Sequence, residues 1–272
     1  MSQHQYPPSS DPQQQVQHPA PQQPTPPGVR RIAVRLPVSP PRLTYALLAA
    51  IVLIYLYTMT LTSAAAQNEF LGNWAKINEA IRDGEYYRLF TSMFLHLSLM
   101  HIVFNGYALY IIGRDVEALF GHARFAIIYF LGGLSGSLAS FVFTDAPSVG
   151  ASGAIFAVFG AEMVYFYQHR KLHGEMGRRH LNQLLILMLV NLALGAFSQA
   201  TAYKIDNAGH IGGLIGGVVL AWFIGPHYDV QADPAVLGGH RVVDLNPVQR
   251  WALPSLVYAA ALAAVMAYAV SA

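Results

Sequence analysis

The stretch Gly150-Ala151-Ser152-Gly153 follows a short polar break, Thr144 to Val149, and opens an apolar run that continues to about Tyr167. It sets a serine in the first turn of a hydrophobic helix. A second stretch, Asn207-Ala208-Gly209-His210-Ile211-Gly212-Gly213, does the same for a histidine and leads into an apolar run ending near Ile224. A serine hydroxyl needs a base before it can act as a nucleophile, and histidine is the commonest one. Whether the two residues meet depends on how these runs are threaded, and composition and charge decide that.

The chain has 272 residues, 54% hydrophobic and 11% charged, against roughly 25% charged in a soluble domain. Seven apolar runs, at about 43–62, 98–113, 124–143, 150–168, 182–200, 208–226 and 251–271, approach the ~20 residues that a helix needs to cross a bilayer. The expected fold class is therefore an all-α polytopic membrane protein. A formal charge of only +2 suggests no nucleic-acid partner, and the absence of cysteine excludes a disulfide framework and thiolate chemistry. No signal peptide is expected, because the first apolar run starts only after some forty polar residues.

The basic residues orient the runs. With the N-terminus inside, 12 of the 16 Lys and Arg fall in inside segments and 4 in outside ones, so the positive-inside rule favours a cytoplasmic N-terminus and an outer C-terminus. The expected location is the plasma (inner) membrane. Residues 1–40, rich in Gln and Pro, have too few bulky apolar side chains to offset their ordering entropy and read as a disordered cytoplasmic tail. The long connection from about Ser63 to Leu95 mixes Trp74, Tyr86, Tyr87, Phe90 and Phe94 with charges, which suits a structure lying at the outer membrane interface.

With this threading, even-numbered spans run inward. His101 and Asn105 then start the second span, Ser152 the fourth and His210 the sixth, all near the outer surface but within the membrane. Orientation rests on Lys and Arg alone, so the convergence is independent of it. His101 and Asn105 are four apart and share a helix face; their bland reading is polar glue between helices. His96 is expected at the interface, touching loop backbone. His210, Gly213 and Gly217 form one stripe, so the histidine faces a close neighbouring helix. Ser135, in Gly133-Leu134-Ser135-Gly136, lies mid-span and reads as a small packing residue. Glu162, a costly carboxylate in a span, is either neutral or paired and reads as structural. Asp206 is either a third member beside His210 or, more simply, a helix cap.

The chemistry follows from these types: Ser152 attacks a peptide carbonyl, and His210 takes its proton and returns it to the leaving amine. The Ser152 N–H, His101 and Asn105 are candidate donors to the developing oxyanion, and the positive end of the fourth helix points at the same place. The segments Gly150–Gly153, Gly209–Gly217 and His101-Ile102-Val103-Phe104-Asn105 resemble the rhomboid family of intramembrane serine proteases. The resemblance covers roughly residues 43–226, with Tyr87-Arg88 similar to that family's aromatic-Arg pair and Gly113 to Glu117 to its turn after the second helix. It implies a Ser152–His210 dyad and His101 and Asn105 as oxyanion residues. The implied substrates are transmembrane segments cut near their outer end after a small residue, with no metal or organic cofactor. It also implies a six-helix core over 41–226; the rest of the chain reads as a cytoplasmic linker over 227–250 and, as a departure from the family, an added seventh transmembrane helix over 251–272. Two departures touch the site: Gly209 stands where Ala is usual, and Phe156 where many members have a tyrosine stacked on the histidine.

Three rival readings make different demands. A small transporter or channel would spread ionisable residues along a path across the membrane, and here they gather at one depth, Glu162 excepted. An inactive binding or trafficking relative would be natural without Ser152 or His210, and both are present. A zinc protease would want His-Glu-x-x-His, which is absent. The expected partners are transmembrane protein substrates and the bilayer; nothing in the sequence speaks to oligomeric state.

Overall fold

A computed structural model describes residues 36–200, 204–236 and 239–271. The expected disordered tail lies outside these residues except for 36–40, which carry no regular structure; Ser39 N donates to Ala118 O at 2.9 Å. The helices are α1 (Arg42–Thr60), α2 (Ala64–Trp74), α3 (Asn78–Arg82), α4 (Arg88–Thr91), α5 (Leu99–Ala108), α6 (Arg114–Phe120), α7 (His122–Phe143), α8 (Ser152–Gln168), α9 (Arg170–Ser198), α10 (Asn207–Ile224) and α11 (Val248–Ser271). The strands β1 (Tyr228–Ala232) and β2 (His240–Asp244) form one antiparallel hairpin.

The protein is an all-α, multi-pass integral membrane protein. Among the described residues α1, α7, α9, α10 and α11 are each long and apolar enough to cross a membrane. A sixth span arises if residues 88–94 and 99–120, which turn through 93°, count as one. α8 has 17 residues, about 25 Å of helix at 1.5 Å per residue. It lies in the centre of the bundle and buries residues from Ala154 to Tyr165 on all faces, so protein rather than lipid surrounds it. α7, α8 and α10 form the core, with α1, α5 and α6 on one flank, α9 on α8, and α11 against α7 and α10.

Several elements differ from their sequence reading. The second span does not turn at Gly113: it passes through a π-helical turn, Leu109–Gly113, into α6 and stops at Gly121, whose φ is +78°. The continuation brings Glu117 under α1, where its carboxylate accepts from Leu43 N at 2.8 Å, Thr44 N at 2.7 Å and Thr44 Oγ1 at 2.6 Å. A buried carboxylate on the unpaired N–H groups of a helix start is favourable. The basic stretch from His169 is helical as part of α9, with a break at Gly174 (φ 56°, ψ −137°). The expected linker contains the hairpin, fastened to the bundle by Tyr228 OH to Leu119 O at 2.6 Å, Arg124 to Asp244 at 2.7 Å and Asn246 Nδ2 to Gly225 O at 2.8 Å. The long connection after α1 folds into α2, α3 and α4. Arg88 fastens it, donating to Gly72 O at 2.5 Å and Ala75 O at 3.2 Å while paired with Glu85.

Candidate active site

α8 starts at Ser152 because the turn before it is one that only glycine takes easily: Gly150 has φ +130°. Gly150 N donates to Ser92 O at 2.9 Å, fixing the turn to the segment ahead of α5. A Cβ on Gly150 would stand 2.7 Å from His101 Nε2 and 3.8 Å from Ser152 Oγ. The imidazole of α5 and the hydroxyl of α8 therefore face the same small volume beside this glycine.

α10 reaches the same end of the bundle by backbone contact. A Cβ on Gly213 would stand 2.0 Å from Gly153 O, and one on Gly217 1.9 Å from Ala157 O. Gly136 of α7 closes the third side, 2.7 Å from Gly209 O and 3.2 Å from Gly153 Cα by the same measure. Glycines thus let three helices meet directly beneath Ser152 and His210. The stripe turns His210 toward α8, where its ring lies flat on Phe156, centroids 4.2 Å apart and planes at 9°.

Asp206 acts as the cap: it accepts from Gly209 N at 2.9 Å, and also from Ser148 Oγ at 2.8 Å and Ser140 Oγ. Burial would raise its carboxyl, but the donors Ser140, Gly209 and Ser148 and the Lys76 charge outweigh it and hold the group below the usual carboxylate range. Its oxygens are spent on the cap and the loop. His210 Nδ1, buried, has no hydrogen-bond partner among the described residues, so Asp206 does not complete a triad. Nor does Ser152 Oγ hydrogen-bond any described residue; such bonds are often long in resting sites and tighten with substrate.

On α5, Ser98 caps the helix by accepting from His101 N at 3.2 Å, and Asn105 Nδ2 donates to His101 O at 3.0 Å. Asn105 is buried. His96 is buried, with its ring edge-on to His101 at 4.9 Å and 65°. The mid-span Ser135 stands apart, bonded to Leu131 O at 2.8 Å and to the Tyr258 hydroxyl of α11 at 2.7 Å. Glu162, left by the sequence as neutral or paired, meets His180 Nε2 at 2.8 Å. Among the described residues no group of three or more His, Cys, Asp or Glu could hold a metal ion.

A cavity of about 30 Å³ lies beside Ser152, lined by Ser92, Met93, Gly133, Gly136 and Gly150, and reaching Lys76 and Asp206. Sequence reasoning missed Lys76, which is 1% exposed. Its signal was present in the sequence: a lone lysine in an aromatic-rich connection ahead of a membrane helix.

Comparison with known proteins matches residues 83–227 to the Rhomboid domain. The chain is 38% identical over 187 residues to Rhomboid protease GluP of Bacillus subtilis (strain 168), covering 68% of this chain and 35% of that protein. It is 37% identical over 153 residues to the chloroplastic RHOMBOID-like protein 9 of Arabidopsis thaliana, covering 56% and 34%. It is 35% identical over 152 residues to RHOMBOID-like protein 7 of the same plant, covering 56% and 46%. The chain thus spans between a third and a half of the length of these relatives. A match across more than half of the chain, on a multi-pass helical bundle, shows the family: the chain belongs to the rhomboid family.

Proposed function

We propose that this chain is an intramembrane serine endopeptidase that cuts transmembrane segments of other membrane proteins near the outer membrane face. The observation that carries the reading is the backbone contact between Gly153 of α8 and Gly213 of α10. That contact holds the start of α8, with its serine, against the second turn of α10, one turn from its histidine. The likeness to a Bacillus subtilis rhomboid protease supports it.

In this reading Ser152 Oγ attacks the scissile carbonyl carbon while His210 takes the hydroxyl proton. The tetrahedral intermediate collapses with that proton passing to the leaving amine, which departs as the new N-terminus. Water, deprotonated by His210, then attacks the acyl-serine, and the carboxylate product leaves as Ser152 recovers its proton. The oxyanion is held by the Ser152 N–H, His101 and Asn105 and by the start of α8. The cavity beside Ser152, at about 30 Å³ and lined largely by glycine and serine, suits a small side chain before the cut bond.

The test is covalent labelling of the purified protein with a fluorophosphonate, alongside cleavage of a transmembrane substrate. Ser152→Ala and His210→Ala abolish cleavage, Ser135→Ala does not, and the label sits on Ser152. Labelling that persists in Ser152→Ala overturns the assignment. A second reading, a rhomboid-like membrane-protein binding factor without catalysis, draws on one observation: neither Ser152 Oγ nor His210 Nδ1 has a hydrogen-bond partner among the described residues. It predicts substrate capture with neither label nor cleavage.

A further inference from the structure

Lys76 lies between α2 and α3 and is almost fully buried at 1% exposure. A buried ammonium is costly unless it is paired and hydrogen-bonded. Here its Nζ donates to Asn78 Oδ1 at 2.9 Å, Thr144 O at 2.7 Å and Ala146 O at 2.9 Å, with Ser140 O at 3.4 Å. Its backbone pairs with Ser148 in both directions, each bond 3.0 Å. Every one of these partners except Asn78 belongs to the end of α7 or to the loop that delivers Gly150 and Ser152. Asn78 holds the same loop, donating to Phe141 O and Thr144 O at 3.1 Å each.

The opposite charge acts on the same loop from the other side. Asp206 takes Ser148 Oγ and Ser140 Oγ while capping α10 one turn before His210. Both charges line the cavity that contains Ser152. The loop ahead of the serine is therefore gripped by a cation from the α2–α3 connection and an anion from the histidine's helix.

We infer that Lys76 is a positioning residue for the Ser152–His210 pair, its ammonium and the Asp206 carboxylate together locking the serine's loop to the histidine's helix. The inference rests on the protease reading above. Among the described residues no carboxylate hydrogen-bonds the histidine as a third member; the Lys76 and Asp206 charges, each bonded to the serine's loop, fix relative position instead.

The experiment measures kcat, KM, melting temperature and fluorophosphonate labelling rate for wild type, Lys76→Met and Lys76→Arg across pH 6 to 10. Misplacement of reacting groups by about 1 Å costs on the order of 10²-fold. Lys76→Met is expected to lower kcat and labelling rate by about 10- to 100-fold with KM little changed. The charges facing Lys76 are Asp206, Asp145 and Glu79. Burial pulls the ammonium down to about 8 against those carboxylates. Wild-type kcat therefore falls as pH rises through about 8. Lys76→Arg, charged throughout, keeps its activity over that window, and Lys76→Met is low and flat. Unfolding does not mimic this limb. Between the depressed folded value and the ordinary one, the unfolded chain binds more protons at Lys76, so this group's contribution to stability rises with pH while turnover falls.

A shared alkaline limb in all three proteins overturns the inference, as does Lys76→Met that melts early but turns over normally in its folded fraction. If Lys76→Met does not fold, wild type against Lys76→Arg decides by the limb alone. Wild type that neither cleaves nor labels overturns the protease reading and this inference with it. A wild type that cleaves and labels on Ser152, beside a normal Lys76→Met, overturns this inference alone.

Discussion

Phe156 and His210 lie ring on ring, 4.2 Å between centroids and 9° between planes, on two helices whose backbones touch one turn away. An imidazole held flat in this way keeps one orientation through the proton transfers that the proposed reaction needs. The stacking requires a flat ring and no hydroxyl, so a phenylalanine serves where a tyrosine is usual in the family.

Phe156→Tyr should keep kcat within about twofold, whereas Phe156→Ala removes an aromatic pair worth about 0.5–1.5 kcal/mol and frees the ring. Turnover in Phe156→Ala should fall about tenfold or more, with Ser152 labelling slowed in parallel. A full-rate Phe156→Ala would show that His210 is oriented by other contacts.

Glycine-mediated packing gives a pair of stability predictions with opposite signs. A methyl at Gly217 meets Ala157 O at 1.9 Å, whereas one at Gly72 in α2 meets nothing within 4 Å. Overpacking costs typically about 1–3 kcal/mol, and backbone on both sides leaves little room to yield. Gly217→Ala should lower the melting temperature by several degrees or prevent folding. Gly72→Ala should raise it slightly, since Ala exceeds Gly in a helix by roughly 0.5–1 kcal/mol. Equal melting temperatures for the two variants would mean that α8 and α10 do not pack this closely.

The bundle and the residues that face its interior were legible in the sequence because each is a local signal. Apolar length marks a span, and a polar residue at the start of a span stands out against its neighbours. Asp206 was legible as a cap for the same reason, lying just ahead of α10. What escaped were contacts between residues far apart in the chain. Glu117 takes the N–H of Leu43, 74 residues earlier at the start of α1, and Lys76 reaches carbonyls up to 70 residues later; no periodicity announces either. The hairpin escaped because each strand has only five residues, too few for alternation to rise above a polar linker. The basic stretch from Arg170 to His180 is the first part of α9; charge marks the edge of a bilayer, and a helix can continue past that edge.

The expected topology rests on the 12-to-4 split of basic residues together with the seven apolar runs read from the sequence. A reporter fused after residue 271 should read the outer compartment, and one ahead of Arg42 the cytoplasm. A cytoplasmic signal at the C-terminal fusion would mean that α11, or one of the shorter segments, does not cross.

The last prediction concerns Asn105, where a structural role and a chemical one compete on the same side chain. Its amide nitrogen donates to His101 O at 3.0 Å, which by itself is helix glue. An amide carries two N–H groups, however, and this bond uses one. The second is the candidate donor to an oxyanion that, inside a membrane, has little water to solvate it. Removing one such donor typically costs about 10²–10³ in kcat, or about 2.7–4 kcal/mol. The Ser152 N–H and His101 remain, so Asn105→Ala should be strongly impaired yet measurably active, while Ser152→Ala is dead. Its KM should move far less than its kcat, because the lost bond belongs to the transition state. If the bond to His101 O were the whole role, Asn105→Ala would melt early, and its folded fraction would turn over at the normal rate. Measuring kcat, KM and melting temperature on the same purified variant separates the two, and a destabilised protein with full kcat would remove Asn105 from the oxyanion site.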